Sequence, residues 1–162
     1  MNQIKALIVY YSRTGTTKKV AEIIQEKLQC DIEEIMTEAN FSGFLGYLKC
    51  GFQAFSKRTP EIRAGGLKPG SYDIVVIGTP VWAGNMSSPI RTFLTQQKDN
   101  FKKVAFFCTH SSTQCGNTFN DMSGLLGKEP IARLDMQARA VAKEDYAGAI
   151  EEFVYEIIEK MA

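Results

Sequence analysis

Five short apolar bursts, each bounded by turn or helix signals, constrain this chain more than any other feature of it. Residues 4–10 (IKALIVY) and 72–79 (YDIVVIGT) are nearly unbroken apolar runs, and 101–109 (FKKVAFFCT) comes close. A strand with one wet face alternates apolar and polar residues. A run without alternation belongs to a strand covered on both faces, as in a parallel sheet. Residues 31–36 read as a shorter strand and 130–136 as a weaker one. Helical patterns lie between them. Residues 14–29 set Val20, Ile23, Ile24 and Leu28 on one face, with Lys18, Lys19, Glu22 and Glu26 outside it. Pro89 in a first turn, with Ser88 as N-cap, opens a helix carrying Ile90, Phe93 and Leu94. Another helix is expected near 117–126, and a last one over 143–161 repeats Ala147, Ile150, Val154, Ile157 and Met161 along one face. Strands alternating with helices give right-handed crossovers, so the expected fold is a single α/β domain over residues 1–162.

Residues 37–66 are the irregular stretch. Phe41, Phe44, Leu45, Leu48, Phe52 and Phe55 follow a helical stripe interrupted by Gly43, Gly46 and Gly51. The segment reads either as the crossover helix between strands two and three, its stripe in the core, or as an aromatic cover over a ligand or partner site.

Composition narrows the function classes. With 44% apolar and 23% charged residues, the chain is neither a disordered tail nor a coiled coil. Its net charge of +1 is too small to steer nucleic acid or an anionic membrane, and neither is expected as a partner. No apolar run reaches the roughly 20 residues that span a bilayer, and the first residues show no signal peptide. Cys30, Cys50, Cys108 and Cys115 form no CxxC pair. In a chain of this length they read as reduced thiols, which favours the cytoplasm, and no metal ligands are assigned among them.

In an open parallel sheet, ligands bind beyond the carboxyl ends of the strands, which directs attention to three loops. The first, Ser12-Arg13-Thr14-Gly15-Thr16-Thr17, leads straight into a helix. Hydroxyls, a glycine and free amides at a helix N-terminus suit a phosphate, against the plainer reading of a helix cap. A P-loop is excluded because no GK[ST] follows, and GxGxxG is absent. The second, Thr79-Pro80-Val81-Trp82-Ala83-Gly84, holds the single tryptophan, which either stacks on a planar ligand or caps the core. The third, from Thr109, His110 and Ser111 to Cys115, Gly116 and Asn117, is polar and holds the single histidine. A histidine–cysteine nucleophile pair lacks a third orienting group here, so no catalytic residue is assigned. Neither Cys108 nor Cys115 begins a Cys-x5-Arg phosphatase loop, and the strand ends lack the carboxylates of a phosphoacceptor receiver domain.

These three loops, in register at successive strand ends, resemble the flavodoxin family over essentially the whole chain. The resemblance implies a doubly wound three-layer sandwich with a five-stranded parallel sheet of order 2-1-3-4-5, holding FMN without a covalent link. Carried over by position, Ser12, Thr14, Gly15, Thr16 and Thr17, with the Arg13 amide, hold the phosphate. Thr79, Pro80, Val81, Trp82, Ala83 and Gly84 line one side of the flavin ring, with Trp82 as the stacking residue. Thr109, His110, Ser111, Cys115, Gly116 and Asn117 close the other side. The family often supplies an aromatic residue from this third loop. This sequence has none between Thr109 and Thr118, so either His110 stacks or that face stays open.

The resemblance implies an electron carrier serving redox partner proteins, as a monomer or weak homodimer. The alternative is an FMN-dependent NAD(P)H:quinone-type oxidoreductase, for which an open flavin face is useful. A cofactor-free interaction module on the same fold is the third class.

Overall fold

A computed structural model describes residues 4–112 and 114–162; Met1 to Gln3, where a leader would begin, and Thr113 of the third loop lie outside the described residues. The elements run β1 (Ala6–Tyr10), α1 (Thr16–Leu28), β2 (Asp31–Glu34), β3 (Met36–Thr37), α2 (Gly43–Phe55), β4 (Ile62–Arg63), β5 (Ile74–Trp82), β6 (Asn85–Met86), α3 (Ser88–Gln97), β7 (Lys103–His110), α4 (Thr118–Leu126), β8 (Arg133–Gln137), α5 (Ala138–Ala142) and α6 (Ala147–Met161). The main sheet has the order β2-β1-β5-β7-β8, all parallel, which is the expected 2-1-3-4-5 arrangement. Its central strands are buried along almost their whole length, as their unbroken apolar runs require. One face packs Val20, Ile24, Ile150, Phe153 and Ile157 of α1 and α6 on Ile8, Val76 and Phe107. The other packs Ile90, Leu94, Phe119 and Met122 of α3 and α4 on Val75, Ile77 and Phe106.

Several boundaries differ from the sequence reading. The second strand ends at Glu34 rather than 36: the Ile35 amide makes the last bond to β1, at the Tyr10 carbonyl (2.7 Å), and Met36–Thr37 turns away to pair antiparallel with Ile62–Arg63. The α3 cap is Ser87, with Ser88 and Pro89 already helical. The last helix begins at Ala147 rather than 143, because Glu144, with a φ of 59°, breaks the helical run, and a short helix not expected from the sequence, α5, precedes it.

The largest departure is in α2. It is the expected crossover helix, but it packs with the opposite face. Gly46, Cys50 and Ala54, at i, i+4 and i+8, point inward, while Phe44, Leu45, Leu48, Phe52 and Phe55 are 51–80% exposed. Of the aromatic stripe only Phe41, ahead of the helix, is buried. The cause is steric: a Cβ on Gly46 would lie 2.2 Å from the Phe41 backbone, so the chain entering the helix folds against a face that only small residues allow.

Candidate functional site

At the carboxyl ends of β1, β5 and β7 the chain leaves a cavity of about 290 Å³, near the lower end of the roughly 300–1,000 Å³ typical of small-molecule sites. Three sequence-distant loops meet there because parallel strands all end on one side of the sheet, and the chain passes over that edge between elements.

The first loop curls at Gly15, whose φ of 95° is in the region glycine favours, and the Gly15 amide donates to Ser12 Oγ (3.1 Å). The turn delivers Thr16 and Thr17 as the first residues of α1, whose opening amides have no carbonyl four residues back to bond. No acidic residue occupies that first turn. Arg13 is fastened elsewhere: its guanidinium donates to the carbonyls of Phe41 (2.7 Å) and Gly43 (3.0 Å), tying this loop to the start of α2. Thr17 is buried, and its hydroxyl bonds that of Thr109 (2.7 Å), linking the first loop to the third.

The second loop is shorter than the sequence suggests, because β5 runs on through Pro80 to Trp82. A two-residue hairpin then pairs Trp82 with Asn85, with Ala83 (φ 49°) and Gly84 (φ 74°) both left-handed at its tip, as a type I′ turn demands. Carried inward by the strand, Trp82 is buried, its ring centroid 5.0 Å from Phe41 and 5.6 Å from Tyr11. The tryptophan is therefore part of an aromatic core cluster as well as a wall of the cavity, and the core-capping reading holds for most of its ring. Thr79 is fully buried; its oxygen accepts the Ser87 amide (3.0 Å) and its proton goes to Pro80 O (2.8 Å) or Ser87 Oγ (3.0 Å), so this hydroxyl braces the hairpin base.

The third loop is held against the second. Asn117 donates its amide to the Gly84 carbonyl (2.8 Å), and a Cβ on Gly116 would lie 2.8 Å from Gly84 Cα, an approach that only glycine permits. His110 is buried with both ring nitrogens engaged, Nδ1 by the Ser112 carbonyl (2.9 Å) and Nε2 by the Asp135 carboxylate. Its imidazole is thus anchored rather than free to stack.

Eleven expected residues line the cavity together: Arg13, Thr14, Thr16 and Thr17, then Pro80, Val81, Trp82 and Ala83, then Thr109, His110 and Ser111. Ser12, Gly15, Thr79, Gly84, Cys115, Gly116 and Asn117 shape the loops without lining it. The sequence reading missed Tyr47, Leu48, Cys50 and Gly51 of α2 and Ala138 at the start of α5. The aromatic-cover reading of 37–66 pointed at α2 but could not say which side of the helix meets the cavity.

Burial pushes the Cys50 thiol up to about 11, the neighbouring Arg13 charge opposing it. It is therefore neutral at ordinary pH, and its alkylation rate is expected to keep climbing towards pH 11 instead of levelling near 9. Peptide mapping after iodoacetamide labelling across this range checks it; a plateau near pH 9 would contradict the buried placement.

The chain belongs to the flavodoxin family, whose model matches residues 5–152. The class is that of flavodoxin-like flavoproteins. A flavoprotein of Lactobacillus acidophilus NCFM solved in complex with FMN is 28% identical, with a TM-score of 0.70 over 86% of this chain and 97% of that one. The apo form of the flavoprotein from that organism is 30% identical, with a TM-score of 0.63 over 86% and 96% of the two chains. The oxidised flavodoxin 2 of Bacillus cereus, 20% identical, shares the fold with a TM-score of 0.62 over 96% and 98%. No helix among the described residues is long and apolar enough to cross a membrane.

Proposed function

We propose that this chain is an FMN-binding electron-transfer flavoprotein that shuttles electrons between redox partner proteins. FMN is the cofactor: the family match and the FMN-bound Lactobacillus relative support it, and the cavity fits it. A glycine-curled loop and the open amides of α1 suit a phosphate at one end, while Pro80, Val81, Trp82 and Leu48 give an apolar slot for a flat ring at the other. When bound, FMN supplies the redox chemistry by taking up and giving back electrons through its ring. The protein's part is to hold the phosphate with neutral donors at Thr14, Thr16 and Thr17, to exclude water with Trp82 and Leu48, and to fix the loop tips through the Gly84–Asn117 bond.

The observation that carries the reading is a cavity whose ionisable side chains are already committed. Arg13 is bonded to carbonyls, His110 to Ser112 and Asp135, and Cys50 is a neutral thiol. Among the described lining residues only the exposed Tyr47 phenol is left as an ionisable group without such a commitment, which supports chemistry carried by the cofactor. Beside the cavity, Phe44, Leu45, Tyr47, Leu48, Phe52 and Phe55 of α2 turn an exposed, largely apolar face outward. That surface supports docking of a redox partner next to the flavin, and also self-association as a weak homodimer. The free cysteines support a reducing, cytoplasmic setting.

The apolar mouth formed by Tyr47 and Leu48 favours a second reading, an FMN-dependent NAD(P)H:quinone oxidoreductase, since a quinone is small, flat and apolar. Steady-state NADPH and NADH oxidation with a soluble benzoquinone separates the two. A carrier turns over negligibly with either nucleotide and, on stepwise anaerobic reduction, takes up its two electrons in separate steps. Sustained quinone-dependent turnover would replace the carrier reading with the reductase.

A further inference from the structure

Two of the four cysteines meet beneath the third loop. Cys108 lies on β7, fully buried on the sheet face that α4 covers, and Cys115 returns to it from the loop, half-buried. Their sulfurs and a carboxylate oxygen of Asp135 all lie within 4.8 Å of one another. The backbone holds them there. Asp135 on β8 is the register partner of Cys108, whose Sγ is 3.9 Å from Asp135 Oδ1. The Cys115 amide donates to the other oxygen of the same carboxylate (3.3 Å). The other two thiols are placed differently: Cys30 packs on the opposite face of the sheet, and Cys50 lines the cavity from α2.

The pair sits in the strut between the sheet and the mouth of the cavity. On one side, Gly116 follows Cys115 and rests against Gly84 Cα, and the Asn117 amide holds the Gly84 carbonyl (2.8 Å). On the other, Thr109 follows Cys108, lines the cavity and bonds Thr17. A covalent link between Cys108 and Cys115 therefore ties the hairpin tip at Gly84 to the end of β7. A disulfide needs sulfurs about 2.05 Å apart on Cβ atoms about 3.5–4.5 Å apart. The gap left to close is within the swing of the Cys115 side chain between staggered rotamers.

We propose that Cys108 and Cys115 are a reversible redox pair, closed to a disulfide by hydrogen peroxide, which fastens the third loop to β7. Cys115, the more accessible, reacts first. Its sulfur attacks a peroxide oxygen, the O–O bond breaks, and one water leaves with a sulfenic acid on Cys115. The Cys108 sulfur then displaces that hydroxyl, forming the S–S bond and a second water. Two thiols thereby lose two electrons and two hydrogens, and one peroxide becomes two waters. Burial and the Asp135 carboxylate hold both thiols protonated, so closure is slow without excess peroxide, and a small thiol in excess reopens the bond by exchange. The pair stands whether or not the cavity holds a flavin.

The test exposes the reduced, full-length protein to hydrogen peroxide, quenches with iodoacetamide and weighs the tryptic peptide 104–128, which contains both cysteines. That peptide is expected to be lighter by two hydrogens and to carry no alkyl group, and dithiothreitol before the quench restores both labelling sites. Cys115→Ser is expected never to lose the two hydrogens, and Cys108→Ala to leave an oxidised Cys115 that dimedone captures. Cys30→Ser closes the pair as the unaltered protein does. In protein saturated with FMN, closure is expected to slow flavin release at least about threefold, since a fastened loop has less freedom to open. A protein that takes up no FMN fails the function proposed above and leaves the mass reading of the pair intact. Oxygen gained on Cys115 with no loss of two hydrogens, a disulfide from Cys115 to Cys30 or Cys50, or flavin release unchanged by closure overturns the proposal.

Discussion

Thr16→Asp is expected to weaken FMN binding by about 2–3 kcal/mol, roughly 30–200-fold, while leaving the fold as stable as before or slightly more so. The two effects have opposite signs for one reason. Thr16 opens α1 and lines the cavity, so a carboxylate there sits at the positive end of the helix dipole. Without ligand it completes a first turn that has no acidic residue, worth a few tenths of a kcal/mol to about 1 kcal/mol. With FMN it repels the phosphate across a short distance. Riboflavin, which lacks the phosphate, is the internal control, and its affinity should barely change. Isothermal titration of both ligands against both proteins measures this; an equal loss for riboflavin would place the phosphate somewhere other than at α1.

Asp121→Ala is the largest expected change in stability. Its carboxylate on α4 meets Arg91 on α3 where the two helices pack, the side chains being only 11% and 7% exposed. Lys57 approaches the same carboxylate at 3.7 Å from the solvent side. Removing Asp121 leaves the buried guanidinium without its counter-charge, which costs about 3–5 kcal/mol. Arg91 has little to fall back on, since its Nε is buried without a hydrogen-bond partner among the described residues. The double variant Arg91→Met with Asp121→Ala should regain most of the loss, because exchanging a whole buried pair for apolar volume is often neutral. Urea unfolding of flavin-free protein resolves the series. A loss below about 1 kcal/mol in Asp121→Ala would mean that the pair is solvated and of little consequence.

The sheet was legible because its evidence is local and redundant. The unbroken apolar runs of β1, β5 and β7 admit few folds other than a covered parallel sheet, and the strand order followed from the resemblance. The phosphate loop was legible for a similar reason: hydroxyls, a glycine and a helix start are adjacent in sequence. What escaped depends on contacts between distant residues. The outward turn of the large side chains of α2 is set by Gly46 lying on the Phe41 backbone, and periodicity alone leaves their stripe open between core and cover. The sequence reading ends the strand at Thr79 and puts Trp82 on a loop, yet Pro80 keeps its register opposite Thr109 and the strand continues. The anchoring of His110 needs Asp135, 25 residues away on the edge strand, and no spacing rule joins them.

The central claim is that the cleft at the ends of β1, β5 and β7 holds FMN by its phosphate at α1. It is tested most directly by titrating flavin-free protein with FMN and, separately, with riboflavin, following the quenching of flavin fluorescence. The account predicts one FMN bound per chain and riboflavin binding weaker by at least about tenfold, the contribution of roughly 1.4 kcal/mol from helix-terminus and hydroxyl contacts to the phosphate. No quenching by either flavin, or equal affinity for both, would contradict it.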